Sequence, residues 1–448
     1  MLGLTAGAVG IIYLLTAEKV ASPWKRASTQ LQNVSRATGT QTEVAVAVDP
    51  RNPQNLFAAS NESLEPEIRV YTSTDGGGSW TSRRGPHVDF DSCAWGDPAV
   101  AIGRDGRQYV AFTQKSICSP GPDLTPYLIV ASRAGPRGKW SVRRVTRPAV
   151  KFGFDDKPAI AATGDGRVHV VWSRLLRRTY QTTVISSSND GGRTWSAPRP
   201  VDSSLEQPQL VSLAAGPRSS LYIAGVDANG VWVGRSVDGG RHFARKRAAP
   251  LPGSQAATCI VFGNYLIPQQ AVRCLGPNPT VSVGTSRVYV TYARPGENET
   301  QDVAIAVFDL ALRPLSRGTV GPADEQKSDQ FWPVAAADPK TGHLWACYYD
   351  SSGDHERKRA WFTCTSSPDG ERWATPVRAA EHPANAAVLW EDARIFGFGD
   401  AGGYGGYPGL AVANGVAYPL WIDTRGVDGN GAEIFGARLA SRPPARDQ

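Results

Sequence analysis

Apolar and polar positions alternate along most of this chain in short bursts, each closed by Gly, Asp, Asn or Pro. Period-two alternation between turn residues marks strands with one face buried. One phrase recurs. It starts near a proline, runs through an apolar strand, turns, and climbs through an aromatic-rich strand. The copies are EVAVAVDPRNPQNLFAAS (43–60), PAVAIGRDGRQYVAFTQ (98–114), PAIAATGDGRVHVVWSR (158–174), PQLVSLAAGPRSSLYIAGV (208–226), PTVSVGTSRVYVTYAR (279–294), PVAAADPKTGHLWACYYD (333–350) and PGLAVANGVAYPLWIDTR (408–425). A second pair of short strands follows each copy, shrinking after the last to AEIFGARLA. No amphipathic helix of useful length interrupts them.

Four antiparallel strands per unit, repeated seven times, predict an all-β chain folded as a seven-bladed β-propeller of four-stranded antiparallel blades. A stack of sandwiches fits less well, because every unit has the same strand count and turn grammar. The seventh unit lacks an outer strand. The β-capable stretch TQLQNVSRA (29–37) is expected to supply it, so that an N-terminal strand closes the last blade. The domain reading is then 1–27 as signal or tether, 28–442 as propeller and 443–448 as a disordered tail.

Three turns between third and fourth strands share one wording: STDGGGSW (73–80), SNDGGRTW (188–195) and SVDGGRHF (236–243). Glycine permits the positive φ of a tight hairpin. Ser and Asp can bond turn amides that lack a strand partner. The aromatic residue can bury about 150–250 Å² against the next sheet. Ser73, Asp75 and Trp80, Ser188, Asp190 and Trp195, and Ser236, Asp238 and Phe243 are therefore read as architecture, not catalysis. SPDGERW (367–373) is a copy one residue short.

These runs resemble the Asp-box, or BNR, repeat S-x-D-x-G-x-x-W/F of sialidase-like propellers. DDKPAIAA…VHVVWSR and YPGLAVANGVAYPLWIDTRG…EIFGARL are similar to exported bacterial members of that group. The resemblance spans about residues 40–440. It implies a secreted propeller that binds extracellular glycan or protein on the face opposite the boxes. Two functions follow from it: glycoside hydrolysis of the exo-sialidase type, or a non-catalytic interaction propeller. Fold alone does not choose.

Composition supports export. The six cysteines fall into three pairs by sequence order, Cys93 with Cys118, Cys259 with Cys274 and Cys347 with Cys364, with no metal-ligand spacing. Counted back from the blade-six hairpin, Cys347 and Cys364 sit opposite each other, close enough for a disulfide. Residues 2–16 are uncharged and mostly apolar. They are short for a membrane span and suited to a signal peptide, an uncleaved anchor or a buried segment. Net charge is +7 with both signs spread along the chain. No aromatic–basic motif points to nucleic acid. No cofactor or metal is expected, GDHE (353–356) reading as a solvated loop. Contact with a membrane is expected only through the N-terminal segment, and the chain is read as a monomer.

Strand order places the candidate site just before first strands and just after second strands. Asp97 and Asp156 are the candidate general acids there, and Tyr404 and Tyr407 the candidate nucleophiles. Arg174, Arg294 and Arg425 end second strands of blades three, five and seven, with Lys157 and Asp400 beside them as substrate-binding candidates. Sialidase-like enzymes clamp a sugar acid with three arginines and use Tyr, Glu and Asp in catalysis, so the resemblance implies those roles. The R-I-P signature is absent; EIRVY (67–71) offers only Arg69. The insertions 252–277 and 379–407 emerge on the same face and are candidate lids.

Overall fold

A computed structural model describes residues 25–26, 31–65, 67–88, 93–115, 126–146, 153–176, 180–202, 209–250, 265–267, 270–296, 300–321, 328–385, 406–424 and 431–440. Seven antiparallel sheets form a ring, a seven-bladed β-propeller. The innermost strands are Ala45–Val48, Cys93–Ile102, Gly153–Ala162, Gln209–Ala215, Thr280–Val283, Gln330–Ala337 and Gly409–Ala413. Each pairs with the next strand in sequence, and the order runs outward. Apart from one turn of 3₁₀ helix at Pro217–Ser219, no helix occurs among the described residues.

Closure follows from the chain's two ends. Gln32–Asn33 pairs antiparallel with Glu433–Gly436 on blade seven. The Val34 amide donates to the Ile434 carbonyl at 2.7 Å, and Asn33 Nδ2 to Glu433 Oε1 at 2.9 Å. The N-terminal stretch thus completes the last blade, as the sequence pattern predicts. The third strand of that blade breaks after Gly436 and resumes at Leu439–Ala440. Lys25–Arg26 runs parallel to Val377–Arg378, the outer strand of blade six.

The core is partitioned between blades. One apolar cluster joins blades one and two through Phe57, Val110 and Ile129, and another joins blades two and three through Tyr109, Val130 and Trp172. Comparable clusters fill the remaining junctions. The junction of blades seven and one holds Val34, Tyr71, Leu420 and Ile434. Each sheet therefore buries both faces against its neighbours, which explains why apolar residues run almost continuously through middle strands such as Tyr127–Arg133.

Cys347 and Cys364 face each other on adjacent strands of blade six, Cα atoms 4.0 Å apart, and form a buried disulfide. The side chains of Cys93, Cys118, Cys259 and Cys274 lie outside the described residues, as do most of both insertions.

The hairpins of the repeated turn are hydrogen-bonded alike. Ser188 Oγ donates to Asp190 Oδ1 at 2.8 Å and accepts from the Gly192 amide at 2.8 Å. Thr194 donates to Asp190 through its amide and its hydroxyl. The same pattern holds at Ser73–Asp75 and Ser236–Asp238, and a shorter version at Ser367–Asp369. Trp80, Trp195 and Phe243 pack against the cores beneath. The preceding blade grips three of the turns: Ser132 bonds the Gly191 carbonyl, Arg199 the Gly240 and Arg241 carbonyls, and Arg287 the Asp369 carbonyl.

Candidate functional site

The chain enters its inner strands through one recurrent distortion. Glu43 and Asn278 stand just before the inner strands of blades one and five, and Asp97, Lys157 and Trp332 within the first halves of those of blades two, three and six, all with positive φ of 42–56°. Gly406 (φ 110°) does the same for blade seven. Non-glycine residues held there cost on the order of 1–3 kcal/mol each and persist only where surroundings enforce them. Bulges between Gly96 and Ala99, Asp156 and Ala159, and Phe331 and Val334 break the ladder at the same level. A bulge re-aims side chains. The result is a ring of kinked strand entrances at the end of the channel away from the repeated turns.

Four sequence-named residues meet there: Asp97, Asp156, Lys157 and Tyr407. Asp97 is crowded by the carboxyls of Asp156 and Glu43, so that charge on one disfavours charge on the next. The Tyr407 hydroxyl donates to Asp97 Oδ1 at 3.4 Å. Asn61 ties blades one and two, its Nδ2 donating to Glu43 Oε2 at 2.9 Å and its Oδ1 accepting the Asp97 amide at 3.0 Å. Lys157 reaches across from blade three, its Nζ 5.4 Å from the Tyr407 ring centre and 5.9 Å from that of Trp332. Gly406 gives Glu43 its room, since a Cβ there would lie 2.5 Å from Glu43 Cγ.

The electrostatics follow from crowding. Burial, then the charge of Asp156, pushes Asp97 up to about 6. Burial likewise raises Asp156. Tyr407 is raised well above the ordinary phenol value by burial and then by the Asp97, Glu43 and Asp156 charges. Its phenol keeps its proton near neutrality and acts as a donor. Below the ring lies a cavity of about 450 Å³ along the axis, walled by inner strands and rimmed by Lys157, Asn278 and Tyr407.

Arg174 and Arg294 are engaged elsewhere. Arg174 makes a two-point contact with Asp155, Nε to Oδ1 at 2.7 Å and Nη2 to Oδ2 at 3.1 Å, and Thr146 Oγ1 donates to the same carboxylate at 2.6 Å. Arg294 Nη2 donates to Thr319 Oγ1 at 3.2 Å within blade five. Tyr404, Asp400 and Arg425 lie outside the described residues. Arg69 pairs with buried Glu62 on blade one. The GDHE turn is ordered by Asp354, which accepts from the Glu356, Lys358 and Arg359 amides.

Sequence reasoning missed Glu43 and Asn61. Glu43 shares the positive φ of Asp97 and Lys157 at the mouth end of its blade, but valine rather than proline follows it. Asn61 follows the second strand of blade one, a position the strand order already flags.

No protein-family model matches the chain, and no curated protein matches it by sequence. Among solved structures, a Dyadobacter fermentans protein of unknown function is similar at 15% identity and a TM-score of 0.46, over 72% of this chain and 94% of that one. A Trypanosoma rangeli sialidase solved with the inhibitor DANA is similar at 13% identity and 0.44, over 74% of this chain and 57% of that one. An ulvan lyase, a polysaccharide lyase, is similar at 10% identity and 0.47, over 92% and 96% of the two chains.

Proposed function

We propose that this propeller is an extracytoplasmic glycan-binding protein that takes sugar hydroxyls at the axial mouth of the ring. The observation that carries this reading is the meeting of Glu43, Asp97, Asp156, Tyr407 and Lys157, of which Lys157 and Tyr407 line a 450 Å³ axial cavity. Carboxyl groups crowded into keeping protons can both donate to and accept from a diol, and the phenol and ammonium add donors. Pockets of this size with a few converging polar groups are the usual form of small-ligand sites. The kinked strand entrances agree, since strain of that kind gathers at functional sites. The likeness of the repeated turns to Asp-boxes points to the same extracellular, glycan-directed setting.

Exo-glycosidase activity is the second reading, and one observation favours it. Asp97, titrating near 6, is poised as a proton donor beside Tyr407. Two others favour binding without turnover. Tyr407 is held as a phenol, and Arg174 is committed to Asp155 rather than open to a sugar carboxylate.

Calorimetric titration with neutral and sialylated oligosaccharides, alongside fluorogenic glycosides, tests both readings. Binding weakened at least tenfold by Asp97→Asn and Tyr407→Phe is the expected result. Absence of binding by every glycan in the panel overturns the proposal. Turnover that falls as pH rises through about 6, and is lost in Asp97→Asn, moves the protein to the enzymatic reading.

A further inference from the structure

The face opposite the mouth carries a concentration of positive charge. It is built from the hairpin turns between first and second strands and between third and fourth strands. In blades two to four these turns are residues 103–107, 134–140, 163–167, 189–194, 216–220 and 237–242. They hold eight Arg or Lys side chains and four Asp, a net charge of +4. Arg104, Arg137, Lys139, Arg193, Arg218 and Arg241 are exposed, and none has an ion-pair partner among the described residues. Neighbouring turns touch, so the charges form one surface. The Arg104 guanidinium lies against Gly164 of the next blade, Arg107 against Gly191, and Arg167 against Gly239.

Two further features lie on this side. Val237, in the same turn as Arg241, is 68% exposed. The outer strand Val377–Arg378 follows the Ser367–Asp369 turn and so runs away from the turn face. Lys25 pairs in parallel with Val377, which puts Lys25 at the turn-face end of that strand.

We infer that the turn face of blades two to four docks on an anionic lipid bilayer, leaving the mouth turned outward. Cations on six turns of three adjacent blades suit a plane of headgroups, where each Lys or Arg near the surface adds about fivefold to binding. Val237, an exposed apolar side chain among them, adds a contact with the headgroup layer. This inference does not depend on what the mouth binds.

Sedimentation of the full chain with vesicles tests it. Vesicles of phosphatidylcholine alone are compared with vesicles that also contain phosphatidylglycerol, at low and at raised salt. The expected result is tighter binding to the phosphatidylglycerol vesicles, weakened by salt. The variant Arg104→Gln, Arg193→Gln, Arg218→Gln, Arg241→Gln should lose that preference by about fivefold per charge removed. A control, the rim variant Arg83→Gln, Lys246→Gln, Arg317→Gln, removes exposed charges from the outer strands Thr81–Arg84, Ala244–Ala249 and Pro314–Thr319 and should keep it. Equal binding to both vesicle types by the parent overturns the inference whatever the variants do. So does an equal loss in the rim variant, or capture by dextran sulfate without capture by anionic vesicles.

Discussion

The mouth and the turn face both rely on aspartate next to glycine or proline, yet they hold it in opposite states. At a turn, Asp190 is surrounded by donors. The Thr194 hydroxyl and amide, then the Ser188 hydroxyl and the Arg193 amide, hold its carboxyl well below the usual range despite a little burial. At the mouth, Asp97 is buried among other carboxyls and held well above that range. The side chain is the same; the number of hydrogen-bond donors and the access of water decide its charge. Where donors saturate the oxygens, the residue fixes backbone and has nothing left to offer. Where carboxyls crowd one another, it retains an exchangeable proton.

The largest effect that would break this contrast is on the mouth side but outside the cluster. Arg174→Ala leaves buried Asp155 with the Thr146 hydroxyl alone and should destabilise the fold by about 3–5 kcal/mol in denaturant titration. A loss below about 1 kcal/mol would mean that Arg174 is available to ligand after all. Next comes the turn face. Gly240 has φ +79°, and a Cβ there would lie 2.8 Å from Ile185 Cδ1 of the preceding blade, so Gly240→Ala should cost about 2–3 kcal/mol. Gly135 has φ +82° with nothing within 4 Å of such a Cβ, and Gly135→Ala should cost only about 1 kcal/mol. Equal losses would show that the turns do not lean on the neighbouring blade.

A further effect concerns protons. Asp97 gives up its proton near 3.8 when unfolded and near 6 when folded, so the folded chain binds more protons between those values. This group's contribution is therefore fully present below pH 3.8, declines as pH rises to about 6, and is level above. Asp97→Asn removes that penalty and should raise stability at neutral pH by about 1–2 kcal/mol while flattening the slope between those values. A slope unchanged in the variant would assign the titration to another group.

Much of this architecture is legible before any coordinates. Seven repeated phrases, six of them led by proline, mark the inner strands because the turn chemistry repeats with them. The missing outer strand of the last unit points back to residues 29–37, and Gln32–Asn33 does pair there. Cys347 and Cys364 are legible because hairpin register is countable from the turn. The candidate site is legible only as a set of positions. Asp97, Asp156 and Lys157 are flagged by the prolines near them, but the bulge between Asp156 and Ala159 sets where they point, and no residue there announces a bulge. The pairing of Arg174 with Asp155 depends on that same local register. Lys157 meets the rings of Trp332 and Tyr407 from the far side of the ring, a contact between residues that only the closed circle brings together.

The latch imposes a schedule. Asn33 bonds Glu433, 400 residues later in the chain. The first blade to be synthesised can form its own sheet early, but the circle cannot be sewn shut until the final repeat has been made and has come round to the start. Each doubling of a loop adds only about 0.6 kcal/mol to its closure cost, so the circle is thermodynamically cheap and kinetically late. A chain cut short before residue 416 leaves Val34 and Tyr71 without Leu420, Ile422 and Ile434 to pack against. Such an incomplete ring is the natural target for quality-control proteases and the natural seed for joining with a second broken ring.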